Sequence, residues 1–201
     1  MTRILLATNN PGKVREFRRL LADSGFEADT PADLGLSLEV AETGSSYEAN
    51  ALLKATAFAR AGNCLALADD SGIEVDALSG GPGMYSARYG GPELDDEGRT
   101  ALLLKETSGT ADGDRGARYR AVVAVSWPVG DGAFEAAAFE GVQEGTLARQ
   151  PCGAEGFGYD PIFVVARGRT QAELSAEEKD AISHRGQAVR KALAFLQARF
   201  E

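Results

Sequence analysis

Two adjacent carboxylates stand in LALADDSGIEVDAL, residues 65–78, where an apolar run meets Asp69, Asp70, Ser71 and Gly72. Acids at the end of a strand, with a glycine permitting a tight turn, present oxygens to a cation or a water. Two carboxylates so close repel, which raises a pKa or recruits Mg²⁺. A solvated Asp-Ser-Gly turn would explain the same residues. A candidate partner lies in LLATNNPGKVREF, residues 5–17, where an apolar run gives way to small polar residues, Gly12-Lys13 and an amphipathic segment. The P-loop pattern needs a glycine five residues before Gly12 and a hydroxyl residue after Lys13, and those places hold Ala7 and Val14. What remains is a strand–loop–helix anion site, with Lys13 as a point charge and helix N–H groups aimed at phosphate. An ordinary strand–turn–helix with a surface lysine is the plainer account.

Three further stretches carry chemistry. In GGPGMYSARYGG, residues 80–91, Tyr85, Arg88 and Tyr89 add rings and a cation to a Gly/Pro loop, for a base, a partner subunit or the loop's own shape. In GFGYDPIF, residues 156–163, Phe157 and Tyr159 flank Gly158. A ring in such a turn can stack on a base or fill the core. EEKDAISHRGQA, residues 177–188, offers Lys179, His184 and Arg185, with Ser183 able to cap a helix that starts with the His-Arg pair. Cations there oppose the helix dipole, a cost that a ligand anion would offset. The whole set supplies cations for phosphates, carboxylates for Mg²⁺ and rings for a base, the inventory for a nucleoside triphosphate bound with its metal.

The elements that must hold these groups follow from periodicity. Arg3–Thr8 reads as a buried strand and 12–23 as a helix with Val14, Phe17, Leu20 and Leu21 on one face. Leu34–Val40 reads as a loop leading into a short strand, and Ser45–Ala61 as a helix ending at Gly62. Leu65–Ala68 and Ile73–Val75 read as two short strands separated by a break at Asp69–Gly72; residues 79–92 read as loop and Leu94–Glu106 as helix. Ala117–Trp127 and Ala133–Val142 read as long strands joined by a Gly-Asp-Gly turn at 130–132. Pro161–Ala166 reads as a strand, and Ser175–Ala181 and Arg185–Phe200 as helices. The expectation is a mixed α/β sheet with helices on its faces.

A chain of 201 residues fits one domain spanning 1–201, with room for two lobes. A net charge of −9 argues against a general nucleic-acid binder, while leaving room for a small basic pocket. Cys64 and Cys152 with one histidine make neither a disulfide framework nor a structural zinc site. No signal-peptide pattern opens the sequence and no stretch approaches a membrane span, so a cytoplasmic protein is expected.

Four blocks, ATNNPGKVREF, ADDSGIEVDAL with GGPGMYSARYGG, GFGYDPIF and EEKDAISHRGQA, resemble the inosine/xanthosine triphosphate pyrophosphatases, in that family's order and over nearly the whole chain. The resemblance implies an elongated mixed β-sheet flanked by helices, in two lobes with a central substrate cleft, and a homodimer. It implies hydrolysis of a purine nucleoside triphosphate with a 6-oxo base between its α- and β-phosphates. By the same likeness, Thr8, Asn9, Asn10, Pro11, Gly12 and Lys13 contact the triphosphate, and Asp70 binds Mg²⁺ and acts as general base. Ser71 contacts substrate; Phe157, Gly158, Tyr159 and Asp160 form the base-binding turn, with Phe157 as stacking ring. Lys179 is a substrate lysine, and His184 with Arg185 reads the oxo edge. The second metal carboxylate falls in LEVAETG, at Glu39 or Glu42, with Glu42 preferred because it occupies the acid of the family's Glu-x-Gly pattern. One departure stands out. Where the family has Glu-Asn-Ala this chain has Ala49-Asn50-Ala51, and Glu48, one place earlier, would point about 100° away around a helix. Two rivals remain: a pyrophosphatase for other modified nucleotides, which the His-Arg pair and the GFGYD turn disfavour, and a sensor without turnover, which the acid pair disfavours.

Overall fold

The first apolar run forms strand β1 (Thr2–Leu6), and Asn10 then caps helix α1 (Pro11–Leu20) by accepting the Lys13 N–H at 3.0 Å. Proline at the first helical position costs nothing there, since its missing N–H would have had no helical partner. A four-residue strand, β2 (Phe26–Asp29), follows and pairs parallel to β1. It escapes a periodicity reading because half its residues are acids; Asp29 is buried by accepting the Arg3 Nε–H at 2.6 Å. Helix α2 (Tyr47–Gly62), capped by Ser46, ends at Asn63 in the left-handed region, so Gly62 stays helical. The computed structural model describes residues 2–165 and 168–200. Residues 36–40 form no strand, so the short one expected there is absent.

The largest correction is β3 (Ala66–Val75), a single unbroken strand. The break expected at Asp69–Gly72 does not exist; these residues lie in the strand's interior. Gly72 serves close approach and makes no turn: a Cβ there would stand 2.1 Å from the Gly83 carbonyl oxygen. Because side chains alternate along a strand, Asp69 and Asp70 leave opposite faces, and that sorting decides their roles.

The remaining elements are β4 (Gly81–Pro82), α3 (Asp96–Glu106), β5 (Gly116–Gly130), β6 (Ala133–Leu147), β7 (Phe163–Val164), α4 (Ala176–Ile182) and α5 (His184–Phe200). The β5–β6 hairpin turns as expected, with Gly130, Asp131 and Gly132 all at positive φ, but both strands are longer than their apolar cores suggested. The expected strand at 161–166 is shorter, since Asp160–Ile162 forms a 3-10 turn; its last residue, Ala166, lies outside the described residues. Ser183 ends α4 with extended backbone immediately before α5. The sheet is mixed, in the order β2-β1-β3-β5-β6-β7 with β4 beside β3. β1, β2 and β3 run parallel, whereas β4 and β7 pair antiparallel.

The chain forms two compact units. The first takes Met1–Asp70, Ala121–Gly141 and Arg185–Glu201, and its core joins Ile4, Leu6, Phe17, Leu67, Val125, Trp127, Val189 and Leu196. The second takes Ser71–Arg120 and Val142–His184, around Ile73, Val75, Leu103, Leu147, Ile162 and Phe163.

Candidate active site

In the first unit the two faces of β3 carry two different charge clusters. On one, Asp69 Oδ1 stands 2.9 Å from Lys13 Nζ, while Asp69 Oδ2 accepts from Arg185 Nε and Nη2, both at 3.1 Å. Arg185 Nη1 donates to Glu16, one turn along α1 from Lys13. Glu16, Asp69 and Arg185 are all buried. Burial alone would raise the Asp69 pKa, but the charges of Lys13 and Arg185 outweigh it and hold the carboxyl well below its usual range. For Arg185, burial is likewise outweighed by Asp69 and Glu16, which lift its pKa further. Two acids of the protein's own thus offset the cation at the start of α5, the part that sequence reasoning gave to a ligand anion.

On the other face, Asp70 Oδ2 accepts from Asn50 Nδ2 at 3.0 Å. The Asn50 amide is itself oriented, because its oxygen accepts the Gly44 N–H at 2.8 Å. Lys54 Nζ lies 2.6 Å from Glu42 Oε1 and 3.7 Å from Asp70 Oδ1, so both carboxylates reach one positive charge. Burial raises the Asp70 pKa, with Lys54 and Asn50 opposing it. Asp70 is therefore a stronger base than an exposed aspartate and Asp69 a much weaker one.

This second cluster fits a hard divalent cation. Glu42 and Asp70 offer oxygen donors converging on a common cation, and Mg²⁺ is usually held by one or two carboxylates, with water and substrate phosphates completing its shell. Among the described residues no group of three or more His, Cys, Asp or Glu could hold a metal. Glu39 is exposed, whereas Glu42 is half-buried and bonded to Lys54. Glu48 does not replace the carboxylate lost at Ala49; it lines a separate surface pocket with Tyr47, Phe139 and Glu140. In the loop before α1, Thr8 accepts the Asn10 N–H at 3.2 Å, Asn9 and Pro11 are exposed and Gly12 is buried.

The second unit assembles the aromatic turn. Asp160 is its hub: Oδ2 accepts from the Phe157 N–H at 2.9 Å and from Lys179 Nζ at 2.6 Å, and Oδ1 from Gln171 Nε2 at 3.1 Å and Tyr119 OH at 3.3 Å. Lys179 Nζ also lies 5.1 Å from the centroid of the half-buried Phe157 ring. Tyr159 is buried and donates to the Ser86 carbonyl at 2.8 Å, so of the two rings only Phe157 is placed to stack on a ligand. His184 stacks on Tyr119 with centroids 4.6 Å apart and planes 12° from parallel. Ser71 is half-buried in β3.

Sequence reasoning missed Glu16, Tyr119 and Gln171, and gave Asn50 and Lys54 no role. Glu16 had a signal, since it lies three residues after Lys13 and beside the core residue Phe17 on α1; Tyr119 and Gln171 had none.

The first unit thus carries an acid strand flanked by lysines, and the second a glycine turn carrying a ring. The Ham1 family model matches residues 4–195, and the chain belongs to that family. It is 44% identical to the dITP/XTP pyrophosphatase of Bacillus subtilis, with 98% of each chain covered. It is 49% identical to that of Symbiobacterium thermophilum, covering 99% of this chain and 97% of the relative. Among solved structures, the Staphylococcus aureus Ham1 protein superposes with a TM-score of 0.84 at 41% identity, over 98% of this chain and 99% of that one. A HAM1 protein from Coxiella burnetii gives 0.85 at 39% identity, over 98% and 100%.

Proposed function

We propose that this protein hydrolyses noncanonical purine nucleoside triphosphates such as dITP, ITP and XTP to the monophosphate and pyrophosphate, with Mg²⁺, as a cytoplasmic homodimer that clears the nucleotide pool. The observation that carries the reading is the sorting of the β3 acids: Asp69 is locked between two cations, while Asp70 keeps a raised pKa beside Glu42 and Lys54. A phosphate sensor has no use for that second arrangement. The relatives named as dITP/XTP pyrophosphatases support it.

In this mechanism Thr8–Lys13 hold the triphosphate, with the positive end of the α1 dipole and Lys13 countering its charge. Ser71 adds a polar contact. Asp70 takes a proton from water as the water oxygen bonds to the α-phosphorus and the bond to the α–β bridging oxygen breaks, releasing pyrophosphate. Asn50 holds Asp70 Oδ2, while Oδ1 stands nearer Lys54. Glu42 and Asp70 would hold Mg²⁺, which when bound neutralises charge on the phosphates and the leaving group. Phe157 stacks on the base in a turn set by Gly158, Tyr159 and Asp160, with Lys179 behind it. His184 and Arg185 supply donors to the 6-oxo edge. Donors facing an adenine amino group would leave buried polar groups unpaired, at about 1–3 kcal/mol each.

The test is product identity across ITP, XTP, dITP, ATP and GTP with Mg²⁺. Pyrophosphate from the first three well ahead of ATP is expected. Release of single phosphate, or tight binding without turnover, would replace this reading with another phosphohydrolase or a sensor.

A further inference from the structure

The turn that carries Phe157 hangs on helix α3. Gly158 sits at φ +61, where glycine has no Cβ to restrict it, so its own sterics do not decide which way the neighbouring ring points. Beside the bond of Asp160 to the Phe157 N–H, two bonds from one turn of α3 do so. Asp96 Oδ2 accepts the Gly158 N–H at 2.9 Å, and Thr100 Oγ1 donates to the Gly158 carbonyl at 3.3 Å. Both peptide groups flanking Gly158 are thereby held from the same helix face, four residues apart in sequence. The helix end is itself fixed, since Asp95 caps it by accepting the Gly98 N–H at 2.8 Å, and an acid at Asp96 suits the positive end of the helix dipole.

Resting on the function proposed above, we propose that Asp96 and Thr100 are positioning residues for base binding: they touch no substrate and aim the Phe157 ring by clamping the Gly158 peptides. A stacking platform held in advance spares the ligand the cost of ordering it. The Asp96 side chain is largely exposed, so its loss leaves the core intact; Thr100 is buried, so valine is the matching change.

The experiment measures kcat and KM for ITP, and inhibition by inosine monophosphate and by inorganic tripolyphosphate, in wild type, Asp96→Ala, Asp96→Asn, Thr100→Val and Thr100→Ser. Asp96→Ala and Thr100→Val should each raise KM for ITP and the inhibition constant of inosine monophosphate about fivefold. Their kcat should stay within about twofold and their affinity for tripolyphosphate should not move, because the clamp acts on the base alone. Asp96→Asn keeps an acceptor and Thr100→Ser keeps a donor, so both should return toward wild type. Equal losses for tripolyphosphate, a fall in kcat at constant KM, or no change in the two disruptive variants would overturn the clamp. If wild type itself leaves ITP intact, the proposed function falls and takes the clamp with it; turnover by wild type with indifferent variants sinks the clamp alone.

Discussion

Asp70→Asn should lower kcat for ITP by about 10²–10⁴, the usual contribution of a general base, while leaving nucleotide affinity within a few-fold and the fold intact. The amide has the carboxylate's shape and keeps an oxygen to accept from Asn50 Nδ2, and Lys54 keeps Glu42 as its ion partner. What disappears is the basic lone pair and the negative charge. Single-turnover rates with a parallel binding titration would separate chemistry from affinity. Turnover within a few-fold of wild type would move the base to Glu42 or Asp69, although the low pKa of Asp69 makes it the poorer acceptor of a proton.

Arg185→Ala should be the most destabilising single change in the site, by about 3–5 kcal/mol, the range for removing one partner of a buried ion pair. The loss takes the Arg185 bond from buried Glu16 and strips buried Asp69 of two hydrogen bonds. Arg185→Lys restores the charge, but an ammonium has no planar fork to serve both acids, so it should recover only part of the loss. Denaturant midpoints report the stability term. Steady-state kcat/KM for ITP and ATP reports the other: the ITP/ATP ratio should narrow in Arg185→Lys, which keeps the charge and loses the directed donors. Wild-type stability in Arg185→Ala would show that the buried acids find other partners. An unchanged ratio in a folded variant would confine Arg185 to holding Asp69 and remove it from base reading.

The apolar runs of β1 and β5 were legible because each is buried as a run, and the faces of α1, α2 and α5 because each buries a stripe at helical spacing. The acid strand was not. Asp, Ser and Gly in succession are turn formers by local preference, and only partners from α1, α2 and α5 make a strand interior of them. The converse error fell at residues 36–40, where Leu36, Leu38 and Val40 alternate as a strand would but find no neighbouring strand. The site shows the same division. Lys13, the acid pair, the Phe157 turn and the His-Arg pair could be named as chemistry from residue types. The resemblance named Asp70 as the base; that the two acids take opposite faces, with different partners on each, waits on knowing that β3 is unbroken. Asp160 and Lys179 are recognisable as functional types, yet both are buried and bonded to each other, so much of their work is holding the Phe157 turn in shape.

Hydrolysis of ITP in ¹⁸O-labelled water tests the central claim most directly, because it reports which phosphorus the water reaches. With Asp70 delivering water to the α-phosphorus, one labelled oxygen should appear in the inosine monophosphate and none in the pyrophosphate, as read by mass spectrometry of both products. Label in the pyrophosphate would place the attack on the β-phosphorus, and label in free orthophosphate would place it on the γ-phosphorus. Either result would contradict the assignment of Asp70, Lys13 and Glu42 to an α-directed pyrophosphatase.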